Sequence, residues 1–133
     1  MKKLLVIIFF LVPIFLKAQD YPLGKSKKEI REIRKKSEIF IVKESLSDTC
    51  DVIDFPGDWQ AFFYYRNNIC YKIRQAYSIF YTDTIKKLLN SSYKAVKENI
   101  WSDRNEAVKL ELIADKDKNK CVIEISYFDK KRG

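Results

Sequence analysis

Four aspartates, Asp48, Asp51, Asp54 and Asp58, fall within eleven residues beside Trp59 and a run of tyrosines. That combination is what glycoside cleavage needs, since one carboxyl must be kept protonated by burial while a second stays ionised, and aromatic rings stack on sugars. Turn aspartates next to core aromatics produce the same letters. A second acidic run, Asp115-x-Asp117-x-Asn119, has the oxygen spacing that opens a calcium loop. It departs from one further on, with Lys120 where the loop needs glycine and Ser126 where it needs a bidentate glutamate. Lys116, Lys118 and Lys120 would also repel a cation, so the run reads as a polar hairpin turn and no metal or cofactor is expected. The chain contains no histidine. This removes Ser-His-Asp and Cys-His nucleophile activation, histidine-ligated zinc and an imidazole pH switch. No Gly-rich phosphate loop, nucleophile elbow or paired-cysteine metal motif occurs, and a non-catalytic protein is the expectation.

Binding chemistry is better represented. Trp59, Phe62, Phe63, Tyr64, Tyr65, Tyr71 and Tyr77 put rings on both faces of one hairpin. One face must fill the core. The other, carrying either Trp59, Phe63 and Tyr65 or Phe62 and Tyr64, is a candidate contact surface beside Arg66, Lys72 and Arg74. The expected contact residues are Trp59, Tyr64, Tyr65, Arg66, Lys72 and Arg74. A second candidate is the basic face of the segment KKEIREIRKK, made by Lys27, Arg31, Arg34 and Lys35, which would meet an anionic membrane surface.

The first residues, MKKLLVIIFFLVPIFLKAQD, read as an export signal. Lys2 and Lys3 precede an apolar run from Leu4 to Leu16, and Leu16-Lys17-Ala18 resembles a cleavage site. The run is shorter than the roughly 20 residues that span a bilayer. Cleavage after Ala18 leaves one domain, residues 19–133, exported to the periplasm or beyond, with no membrane span. Losing Lys2, Lys3 and Lys17 lowers the formal net charge from +8 to +5. That excess favours an envelope or extracellular protein, or an anionic surface, over nucleic acid, for which no reader motif is present. Three cysteines, Cys50, Cys70 and Cys121, allow at most one disulfide. Three pairings are open, and the sequence does not choose among them; Cys70 and Cys121, which share an Asn-x-Cys setting, are one candidate pair, and three buried thiols are the alternative.

Positioning these residues requires an α+β domain. Ser26 and Glu29 form a capping box for a helix from Lys27 to Lys36, with Ile30 and Ile33 as its docking stripe. Strands follow at 39–44, 49–55, 59–65 and 69–77, the last two joined by Asn67-Asn68. Thr82-Asp83-Thr84 caps a helix of 85–99 whose core side includes Val96. A final hairpin pairs 107–114 with 121–128. The order α-β-β-β-β-α-β-β gives an antiparallel sheet of five to six strands with two helices on one face, and the likeness of its halves suggests internal duplication. Gly24-x-Ser26-x-x-Glu29-Ile30, just after the signal, resembles the opening of small exported helix-plus-sheet domains of the BamE and β-lactamase-inhibitor-protein type. The resemblance implies a fold of short helices on antiparallel strands and a role in binding other proteins. The chain lacks the lipidated cysteine and the Gly-x-Pro that occur in such domains.

Overall fold

The computed structural model describes residues 22–36, 40–103 and 107–127. The export signal, the polar C-terminal tail and the start of the first expected strand lie outside these. The elements are α1 (Lys27–Lys36), β1 (Lys43–Leu46), β2 (Cys50–Phe55), β3 (Trp59–Arg66), β4 (Ile69–Ser78), a 3₁₀ turn (Ile79–Tyr81), α2 (Thr82–Ser92), β5 (Lys94–Lys97), β6 (Ile100–Ser102), β7 (Val108–Asp115) and β8 (Lys120–Tyr127). The fold is α+β. Among the described residues there is one sheet, of eight strands rather than five to six, in the order β1-β2-β3-β4-β8-β7-β6-β5, and every neighbouring pair is antiparallel.

The additional strands come from the second expected helix, which is shorter than its periodicity suggested. It ends at Ser92 because Tyr93 is extended, and the chain then folds into the β5–β6 hairpin. Asn99, at φ 62, supplies that turn, and asparagine tolerates the left-handed region better than other side chains. Val96 is consequently exposed rather than in the core. Thr82-Asp83-Thr84 does not provide the cap. Ser78 accepts the Phe80 amide and opens the 3₁₀ turn that leads into α2. In α1 the Ser26 half of the capping box forms, the Glu29 amide donating to Ser26 Oγ at 3.1 Å, while Glu29 Oε1 accepts the Ser26 hydroxyl at 3.2 Å. The docking residues are Ile30 and Arg34, one turn apart, while Ile33 is 45 % exposed. β1 lies further along the chain than expected, on residues with no buried side.

Ladder register divides the side chains between two faces. Asp51, Phe63, Ile73, Ile125, Leu110 and Trp101 form one row across the central six strands, and Ala61, Gln75, Ile123 and Leu112 form the next on that face. All are buried. Both helices cover this face. Arg34 of α1 lies over the Phe63 ring at 5.7 Å, Ile85 and Leu89 of α2 join the same core, and Trp101 Nε1 donates to Asn90 of α2 at 2.8 Å. Each such large apolar side chain contributes about 1.5–3 kcal/mol by leaving water.

The elements form two successive α-β4 units whose last strands, β4 and β8, meet at the middle of the sheet. Arg74 stands opposite Glu124 there, joined by Arg74 Nη2 to Glu124 Oε2 at 2.7 Å.

The same register rules out the candidate disulfide. Cys121 stands opposite Tyr77, whereas Cys70 is seven residues back along β4, which at about 3.3 Å per residue separates them by on the order of 20 Å. A disulfide needs Cα atoms within about 7 Å. All three cysteines are free thiols. Burial pushes the Cys70 thiol up to about 12 and raises Cys121 as well. Burial raises the Cys50 thiol too, but Cys50 is partly exposed where the other two are buried, so native alkylation followed by peptide mapping is expected to label it at least tenfold faster, through access. A crosslinked Cys70–Cys121 peptide recovered without reductant would refute this arrangement.

Candidate binding face

The opposite side of the sheet carries Val52, Phe62, Arg74, Glu124, Glu111 and Ile100 in one row, flanked by Cys50, Tyr64, Lys72, Ser126 and Lys109 in the next. No described helix packs on it. Because β3 alternates, its core side is filled by Trp59, Ala61, Phe63 and Tyr65, and Gln60, Phe62 and Tyr64 must point the other way. Phe62 and Tyr64 lie with ring centroids 6.3 Å apart, and Tyr64 reaches Tyr71 at 6.5 Å. Tyr71 is placed there by a register shift opposite Tyr64 and Tyr65, a bulge that re-aims a side chain. Cations cap the rings: Lys72 Nζ is 4.6 Å from the Tyr64 centroid, and the Arg66 guanidinium 4.4 Å from that of Tyr71. Partial burial raises the Tyr64 hydroxyl above its ordinary value.

The six expected contact residues therefore separate. Tyr64, Lys72 and Arg74 share the uncovered face, with Arg66 at its end where the β3–β4 turn begins. Trp59 and Tyr65 belong to the covered face. Trp59 stacks on Phe55 at 4.0 Å and on Tyr77 at 5.2 Å, which corrects its reading as a contact residue. Phe62 takes its place.

Tyr65 has a different task. Its hydroxyl donates to Asp51 Oδ2 at 2.8 Å, and Asp51 is fully buried. Two arginines of α1 complete the carboxylate's partners: Arg31 through Nε at 3.1 Å and Nη2 at 2.8 Å, and Arg34 through Nη2 at 3.1 Å. Arg34 also reaches Glu44 at 3.3 Å. Desolvation pushes the Asp51 carboxyl upward, but the hydrogen bonds from Arg31, Tyr65 and Arg34 outweigh it and hold it below the usual carboxylate range. Burial, reinforced by Asp51, raises the Tyr65 hydroxyl strongly.

This cluster also redefines the basic helix face. Arg31 and Arg34 turn inward to Asp51, and Lys27 Nζ lies 3.4 Å from Asp48. Of the four residues expected to form that face, Lys35 is the one left exposed without a described acidic partner. The cluster had a visible signal in the sequence, because Asp51 shares parity with Ile53 and Phe55 and so had to be buried and countered.

The remaining aspartates are dispersed. Asp48 is exposed in the β1–β2 turn. Asp54 is on the uncovered face and accepts from Gln60 Nε2 at 2.6 Å, and Asp58 sits in the β2–β3 turn at φ 60. Asp54 and Asp58 line a cavity of about 380 Å³ with Gln60 and Lys120. A second cavity, of about 390 Å³, lies between Phe62, Tyr64 and Arg74 on one side and Lys118 and Lys120 on the other. Asp115 serves the β7–β8 turn, its Oδ1 accepting the Lys118 amide at 3.2 Å. Among the described residues no cluster of cysteine and acidic side chains is arranged to hold a metal ion, and no helix is long and apolar enough to cross a membrane.

Compared with known proteins, the chain matches no family model, no curated protein and no solved structure.

Proposed function

We propose that this chain is an exported bacterial binding domain, non-catalytic, that docks a protein of the envelope or the extracellular medium through the uncovered face of its sheet. The observation that carries the reading is the placement of Phe62, Tyr64 and Tyr71, with Arg66, Lys72 and Arg74, on the side opposite both helices. The core is already filled by Trp59, Phe63 and Tyr65, so folding alone does not call for rings on the second face. Tyrosine and arginine are the side chains that most often dominate interface energetics. The resemblance of the Gly24–Ile30 segment to exported domains of the BamE and β-lactamase-inhibitor-protein type supports the same role. Duplication of one α-β4 unit accounts for the order of the elements.

The test compares Phe62→Ala/Tyr64→Ala with a helix-face control, Lys28→Ala/Lys35→Ala, in affinity capture from the native envelope fraction. The sheet pair is expected to lose bound partner at least tenfold while the melting temperature moves by only a few degrees. Equal capture by both variants would remove the sheet face as the docking site.

A carboxylate-dependent glycan hydrolase is the second reading, favoured by the cavity that Asp54 and Asp58 line. It predicts cleavage of cell-wall or other polysaccharide that is lost in Asp54→Asn. Against it stand the commitment of Asp51 to the arginine cluster and the burial of Trp59, which borders the cavity but is 2 % exposed with its ring stacked on Phe55 and Tyr77. A membrane-surface role is weakened in the same way by the inward use of Arg31 and Arg34.

A further inference from the structure

The cations at the β3–β4 turn end of the uncovered face differ in what balances them. Arg74 is paired with Glu124 at 2.7 Å, and Lys109 lies 4.0 Å from Glu111. Arg66 and Lys72 have no acidic partner among the described residues. What they meet is aromatic: Arg66 lies over the Tyr71 ring at 4.4 Å, and Lys72 over the same ring at 5.7 Å and over Tyr64 at 4.6 Å. The row that holds Lys72 runs Cys50, Tyr64, Lys72, Ser126 and Lys109, and it contains no carboxylate. The described acids at this end are engaged elsewhere, Asp48 by Lys27 and Asp103 by the backbone amides of Ala107 and Val108, while Asp51 belongs to the covered face. Two positive charges thus share the Tyr71 ring without a counter-charge. The ring holds them in place, but they repel one another, and an anion between them turns that repulsion into attraction.

Beside the cations stands a ladder of rings. Tyr71, Tyr64 and Phe62 follow one another at centroid spacings of 6.5 and 6.3 Å. An extended polypeptide sets successive side chains of one face about 6.6 Å apart, so a segment laid over β3 can place a side chain at each rung. The polar groups bordering Phe62 are bonded among themselves, Gln60 to Asp54 and Arg74 to Glu124. The complement of that end is therefore hydrocarbon and not the hydroxyls of a sugar.

We infer that Arg66 and Lys72 together receive one carboxylate of the partner, carried by an extended segment whose residue two positions away is large and apolar and rests on Tyr64 and Phe62. This rests on the binding reading above and names the chemistry of its occupant. The guanidinium fork of Arg66 matches a carboxylate in shape, Lys72 adds the second charge, and the rings supply the anchor.

The test titrates the full mature protein with the blocked peptide Gly-Leu-Ser-Glu-Ser-Leu-Gly, which presents the same spacing in either chain direction, and follows amide chemical shifts. Companion peptides carry glutamine or lysine in place of the glutamate, or serine in place of both leucines. The glutamate peptide is expected to bind at least about fivefold tighter than each companion, with shifts centred on Phe62, Tyr64, Tyr71 and Lys72. Arg66→Gln/Lys72→Gln is expected to erase the preference for glutamate over glutamine. Lys118→Gln/Lys120→Gln on the same face and Lys28→Gln/Lys35→Gln on α1 lower the net charge equally and are expected to keep it. None of these six positions is buried, so all three variants are expected to melt within a few degrees of wild type. Equal binding of the glutamate and glutamine peptides, no binding at millimolar concentration, shifts centred on other residues, a preference that survives Arg66→Gln/Lys72→Gln, or tighter binding of digalacturonate than of the glutamate peptide would each overturn the inference. If one of these occurs while Phe62→Ala/Tyr64→Ala still loses envelope capture, the failure lies in the occupant and not in the face; capture unchanged by Phe62→Ala/Tyr64→Ala would overturn both.

Discussion

Asp51→Ala is expected to destabilise the domain by about 3–5 kcal/mol, the cost of removing one partner from a buried charge cluster. The aspartate is fully buried and accepts from Arg31, Arg34 and Tyr65. Deleting it strands the Arg34 guanidinium, itself buried, with only Glu44 at the rim. Urea unfolding measures the loss. The second α-β4 unit suggests the remedy, for α2 docks with Ile85 and Leu89 where α1 docks with Ile30 and Arg34. The combined change Arg34→Leu/Asp51→Val/Tyr65→Phe is therefore expected to recover most of the stability lost in Asp51→Ala, since replacing a whole buried ionic group by apolar side chains is often neutral. Arg31, at the margin of the cluster, can return to water. If Asp51→Ala costs under about 1 kcal/mol, the cluster is not the attachment of α1 that its geometry implies.

The cluster also sets the acid limit. Asp51 has a folded-state value below its unfolded one, so its contribution is fully present above the unfolded value of about 3.9 and is lost as pH falls through the folded value. Below about pH 4, wild type is expected to lose stability more steeply than the apolar triple variant.

Trp59→Ala is expected to cost about 3–5 kcal/mol as well, through a cavity between Phe55 and Tyr77. Trp59 is 2 % exposed, so the loss is of fold and not of contact surface. Partner capture per folded molecule is expected to stay unchanged, provided temperature or an osmolyte keeps the variant folded. Reduced capture at full folding would return Trp59 to the binding face.

Particular residues explain how much of this was legible in the sequence. The β3–β4 and β7–β8 hairpins were, because strict alternation, Asn67-Asn68 and the polar Asp115–Asn119 turn are local signals. Capping of α1 was legible for the same reason. The β5–β6 hairpin was not: its strands are three or four residues long and β5 is wholly exposed, so Lys94–Lys97 has no buried side to betray its period. Nor could the sequence choose which ring set faces the core, since Trp59, Phe63 and Tyr65 compete with Phe62 and Tyr64 on equal terms until the helices are placed. The disulfide misled because a shared Asn-x-Cys setting reports equivalent positions in two units, and equivalent positions in antiparallel central strands lie at opposite ends. The second cavity was invisible for a related reason, as Ala76 and Val122, which line it, become neighbours only when β4 and β8 pair.

The central claim, that the uncovered sheet face is where this domain meets its partner, is tested most directly by a photo-crosslinking residue placed in turn at Phe62, Tyr64, Lys28 and Lys87 and activated in the intact native envelope. Crosslinks to a common protein from Phe62 and Tyr64, and none to it from Lys28 or Lys87 on the two helices, are the predicted result. Crosslinks to one protein from the helix positions, with the sheet positions silent, would contradict it.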